Sequence, residues 1–131
     1  MTNIELMEHW ISSAENDYNS MVSMYSSKQY NWSLFVGHLV VEKLLKALYS
    51  KLNEQEPYAP RTHNLLVLAK KCNLELDERQ VDSLSRITKF NMSVRYDDAK
   101  EDFYKLCTPE YTEEQIRSIK ELRLWLKEKL A

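Results

Sequence analysis

The sequence predicts an all-α fold, an antiparallel up-and-down bundle of four to five helices forming one domain over 1–131. Three observations carry this reading. A single Gly and three Pro in 131 residues leave few tight turns for hairpins. Apolar residues recur three and four positions apart through most of the chain, which is the helical period, and no two segments alternate convincingly as strands. The stretch Asn31 to Leu52, NWSLFVGHLVVEKLLKALYSKL, is apolar on most sides, the pattern of a helix surrounded by other helices.

The elements follow in order. Thr2 and Glu5 form a capping-box pattern that starts the first helix. Ile4, Met7, Ile11, Ala14, Tyr18, Met21 and Tyr25 then make a long apolar seam, widened by Trp10 and Val22. A turn around Ser26 to Tyr30 reverses the chain into the central helix, where Gly37 allows close helix approach. A polar connection, Asn53 to Pro60, holds two of the three prolines, and Thr62 is a good N-cap for a short helix to about Cys72. Asp77-Glu78-Arg79-Gln80 is a further capping pattern, opening a helix along Val81, Leu84 and Ile87 toward Val94, with Asn91 a polar interruption. Asp97 to Pro109 lacks a strong period and reads as an extended or partly helical connection. Thr112-Glu113-Glu114-Gln115 is expected to cap the last helix, with Ile116, Ile119, Leu122, Leu126 and Leu130 facing inward.

Composition sets outer limits on function. A hydrophobic share of 44% and a charged share of 29% are ordinary for a globular domain. The net charge of −2 gives no global basic field for nucleic acid, although a local patch is compatible with it. Cys72 and Cys107 lack a second Cys or a His at ligand spacing, so no metal and no cofactor is expected. The absence of a secretory pattern makes them free thiols in a reducing compartment, and no apolar run is long enough for a membrane. The expected location is the cytoplasm.

Three constellations are candidates for chemistry. His38, Glu42 and Lys46 stack at i, i+4 and i+8 as one polar stripe on the apolar helix. They form either a groove in which Lys46 meets an anion, or a Glu42–Lys46 pair serving the fold or a dimer contact. Lys43 points elsewhere and reads as solvated. His63, beside Arg61, is either a neutral ring fixing the Pro60 turn through a loop carbonyl or part of an anion site at a helix N-terminus. Arg95, Tyr96 and Asp97 can hold a phosphate and stack a base, or close the fourth helix with an ion pair. Asp97 and Asp98 alone are a poor Mg²⁺ site.

Several of these motifs occur together in an order that resembles a known family. Glu42-Lys43-Leu44-Leu45-Lys46-Ala47-Leu48, then Thr62-His63-Asn64-Leu65, then Arg95-Tyr96-Asp97 resemble the HEPN domain. Trp32-Ser33-Leu34-Phe35, His38-Leu39, Phe103-Tyr104-Lys105-Leu106-Cys107 and Glu110-Tyr111-Thr112 are similar to its small stand-alone bacterial members. The resemblance implies a helical bundle that commonly forms a homodimer. It also implies a frequent pairing with a minimal nucleotidyltransferase protein and a role with a nucleotide or RNA.

Some members of the family are toxins of toxin–antitoxin pairs that cleave RNA with an Arg and a His roughly four to six residues apart. The histidine serves as the titrating group, since its pKa lies at about 6.5. Here the histidines are His9, His38 and His63, and none follows an Arg at that spacing; Arg86 is followed by Asn91 and Met92 instead. Asn91 cannot titrate. The expectation is therefore a non-catalytic dimeric module, with no catalytic residue assigned. The alternative is a metal-independent ribonuclease with an altered site in which Arg86, Asn91 and Arg95 act electrostatically.

Overall fold

A computed structural model describes residues 1–93 and 97–131. Six helices occur in it: α1 (Asn3–Ser26), α2 (Tyr30–Leu52), α3 (Leu65–Lys71), α4 (Glu78–Ser93), α5 (Asp97–Leu106) and α6 (Pro109–Leu130). Cross-links between helices fix their directions. Arg79 reaches Glu121 and Arg86 reaches Gln115, so α4 runs antiparallel to α6. Lys51, at the end of α2, donates to the carbonyls of Lys129, Leu130 and Ala131 at the end of α6, so these two run the same way. With α1 folded back on α2, the four long helices alternate in direction, as the sequence predicts for an up-and-down bundle.

The apolar character of α2 is explained by its neighbours, since it packs against all five other helices. Leu34, Val40, Val41, Leu45 and Ala47 are fully buried. Gly37 sits where α1, α2 and α6 meet. A Cβ there would lie 2.5 Å from Ile119 Cδ1 and 3.1 Å from Met21 Sδ, so the hydrogen of glycine lets the three helices close.

Thr2 and Glu5 form the expected capping box on α1. The buried seam of α1 is narrower than predicted: Leu6, Ala14 and Met21 are buried, whereas Ile4 and Val22 are exposed. Asp77 and Gln80 cap α4 reciprocally. Two expected boundaries are corrected. The N-cap of α3 is Asn64, whose Oδ1 accepts from the amides of Leu66 and Val67. Thr62 instead accepts from the amide of Asn64, bending the chain before the helix. The last helix begins at Pro109 with Thr108 as cap, its Oγ1 accepting from Tyr111 N, so Thr112 is a buried residue of the next turn. Proline at the first helical position needs no amide partner, which is why the helix starts there. The stretch from Asp97 to Pro109, expected to be extended or partly helical, takes the second form: it is helical through Leu106, held by Phe103 against Phe90 with ring centroids 5.3 Å apart. The predicted end of the fourth helix at Val94 lies outside the described residues.

Candidate functional site

The polar stripe of α2 meets the loop before α3. Glu42 lies under the chain at His63, with only 4% of its surface exposed. A carboxylate so buried must have its lone pairs occupied. Oε1 accepts from Nδ1 of His63 at 2.7 Å, and Oε2 accepts from Nζ of Lys46 at 3.2 Å. The Lys46 ammonium also lies 5.3 Å from the ring centre of Trp10 on α1. His38, fully buried one turn earlier, places Nε2 at 2.9 Å from the carbonyl of His63. A carbonyl only accepts, so that nitrogen of His38 carries the proton. The same nitrogen is 3.9 Å from Glu42 Oε1, too far for a hydrogen bond.

His63 is thus held twice, by its backbone carbonyl and by its ring. It does not bond a loop carbonyl through its ring, as one sequence reading had it; the ring goes to the buried carboxylate. It also precedes α3 rather than lying within its first turn. The turn is completed by Thr62 N donating to the carbonyl of Pro60. The side chain of His63 remains 48% exposed. Its other ring nitrogen, Nε2, makes no hydrogen bond among the described residues. Orienting one imidazole nitrogen with a carboxylate leaves the other to meet a partner, as acceptor in the neutral ring and as donor when protonated. Arg61, two residues away, is exposed and makes no ion pair among the described residues.

The structure therefore brings His38, Glu42, Lys46 and His63 into one cluster, with Arg61 at its edge. Trp10 is the member that sequence reasoning missed. It was counted as part of an apolar seam, and only the crossing of α1 over α2 puts it beside Lys46. Lys43, expected to be solvated, is ion-paired to Asp17 on α1 at 2.6 Å.

Of the third constellation, Asp97 alone lies among the described residues. Asp97 is exposed in the first turn of α5, and Arg95 and Tyr96 lie outside the described residues. Arg86 donates from Nε to Gln115 Oε1 at 2.7 Å and from its terminal nitrogen to Asp82 at 2.6 Å, while Asn91 is buried. Among the described residues no group of three His, Cys, Asp or Glu could hold a metal, and no helix is long and apolar enough to cross a membrane.

The model of the HEPN domain matches residues 7–130, nearly the whole chain. No curated protein and no solved structure matches it.

Proposed function

The chain belongs to the HEPN domain family, whose members commonly dimerise and act in nucleotide- and RNA-related roles, and on that premise we propose that it is a non-catalytic, dimeric binding module. Its partner is a minimal nucleotidyltransferase protein, and it takes a nucleotide or RNA through cationic groups at its surface. One observation carries the non-catalytic part. None of His9, His38 and His63 follows an Arg at the spacing of the catalytic members, while the carboxylate of Glu42 is engaged by Lys46 and His63 in holding the bundle and the α3 loop in place.

The cationic edge of the same cluster supports the binding part. Arg61 and the outward nitrogen of His63 suit a phosphate, which a guanidinium recognises by paired donors. Arg95, Tyr96 and Asp97 are proposed to add a second contact, with the ring stacking a base. The ribonuclease alternative draws on Arg86, Asn91 and Arg95. Arg86 is engaged by Asp82 and Gln115, and Asn91 supplies no titrating proton.

The test is RNA cleavage by the pure protein, with Arg95→Ala and a surface Lys→Ala variant in parallel. The expected result is no turnover by any of them. Turnover that is lost with Arg95→Ala and kept in the lysine control would replace this reading by the ribonuclease. Co-purification with a nucleotidyltransferase encoded beside this chain is expected as well.

A further inference from the structure

A second polar concavity lies between the α1–α2 turn and α5. Lys28, Tyr30, Asn31, Tyr104, Lys105 and Cys107 line a groove of about 330 Å³, near the lower end of the roughly 300–1,000 Å³ that small-molecule sites occupy. Asn31 is only 6% exposed, yet its side-chain amide makes no hydrogen bond among the described residues. The amide is not among the buried groups left without a partner, so it meets solvent in the groove and offers two donors and an acceptor to what enters.

The remaining lining is cationic and aromatic. Lys28 stands in the turn at φ 62°, a conformation that L residues other than Asn and Asp rarely adopt, and it makes no ion pair among the described residues. Lys105 faces Glu101 at 3.4 Å, but both side chains are about 70% exposed, so the pair is weak and the ammonium can be shared. Tyr104 is 68% exposed, and Tyr30 is backed by Tyr25 with ring centres 5.8 Å apart. One turn back along α5, Lys100 lies 5.0 Å from the ring centre of Trp32, continuing the same composition. Burial pushes the Cys107 thiol up to about 11, so it adds no negative charge near neutral pH.

We propose that this groove binds a phosphorylated nucleoside, free or as the 5′ end of single-stranded RNA. Lys28 and Lys105 hold the phosphate, a tyrosine stacks on the base, and the Asn31 amide bonds the base or ribose. Stacking rings interleaved with cations are what single strands require, because every base offers a π face. The inference rests on the nucleotide-binding part of the reading above but puts it on different residues.

The test is fluorescence anisotropy of a 5′-phosphorylated ribotrinucleotide labelled at its 3′ end. The full chain is compared with Lys28→Asn/Lys105→Gln, with Tyr104→Ala, and with Arg61→Gln/Arg95→Gln. Asn accepts the positive φ at position 28, and Tyr104 and Lys105 are exposed, so the fold is retained, as circular dichroism would verify. The double lysine variant is expected to bind at least tenfold more weakly, with a salt slope shallower by about 0.7 per lysine removed. Tyr104→Ala is expected to lose at least fivefold. Displacement by nucleoside monophosphates would identify the free nucleotide as sufficient, and displacement by oligomers alone would identify RNA; both support the groove. Unchanged affinity in the groove variants, with loss in the arginine variants, would overturn the groove and leave the proposed function standing. No binding by the unaltered protein would overturn the groove too, while dimerisation and partner binding would remain to be judged separately.

Discussion

At the scale of single residues, the account turns on Glu42. Removing its charge leaves Lys46, whose side chain is 12% exposed, without its carboxylate, and weakens the hold on His63. Breaking a buried pair costs about 3–5 kcal/mol, less where the lysine can extend to water. Glu42→Gln is therefore expected to cost about 2–3 kcal/mol in urea unfolding. The double variant Glu42→Leu/Lys46→Met, which removes both charges, is expected to cost less than Glu42→Gln alone. A double variant worse than the single would mean that the pair itself stabilises the bundle. The i, i+4, i+8 spacing made this stripe legible in the sequence. The meeting with His63 was not, because it depends on how a proline-containing loop crosses α2, and no local pattern encodes that.

The cysteines give a second prediction at this scale. Burial pushes Cys72 from its ordinary 9.0 up to about 12 and Cys107 up to about 11. Both thiols should stay unreactive toward a thiol reagent at pH 8 in the folded protein and react on unfolding, since the thiolate is the nucleophile. The sign of the pH dependence follows. The unfolded chain loses these protons near 9, whereas the folded chain keeps them until about 11 and 12. Stability contributed by the neutral thiols is thus full below pH 9 and declines as pH rises toward 12. Denaturant midpoints measured from pH 8 to 11 should fall, and a Cys72→Ala variant should fall less steeply. Equal slopes in the two proteins would remove Cys72 as the cause.

At the scale of elements, the long helices were readable because each carries a sustained 3.6-residue period, and α1, α4 and α6 carry a polar cap as well. The boundaries that differed share a cause. Several Ser, Thr, Asn and Asp residues near each start compete as caps, and tertiary position decides among them. Asn64 wins over Thr62 because the chain stays extended through His63 to reach Glu42 and His38. Thr108 wins over Thr112 because Pro109 suits the first helical position and Thr112 is needed in the core. Asn64→Ala and Thr108→Ala are each expected to cost about 1 kcal/mol, and Thr62→Ala distinctly less, by urea unfolding. A larger loss for Thr62→Ala than for Asn64→Ala would reverse the assignment. Helix α5 was legible only as one of two alternatives because it is short and mostly charged, with Phe103 its one buried residue; packing against Phe90 rather than periodicity keeps it helical.

At the scale of the whole molecule, the up-and-down order was legible from the number of capped apolar segments and the shortness of their links. The functional sites were less so. The groove beside α5 joins residues about 75 positions apart, so neither half signals it alone, and the net charge of −2 conceals a local cluster of lysines. The central claim is that this HEPN domain is a dimeric binder without ribonuclease activity. Light scattering across a size-exclusion peak, with RNA cleavage assayed on the same fractions, tests it most directly. The expected result is a particle of twice the 15.6 kDa of one chain that leaves RNA intact. A dimer that cuts RNA, and stops cutting when Arg95 becomes alanine, would contradict it.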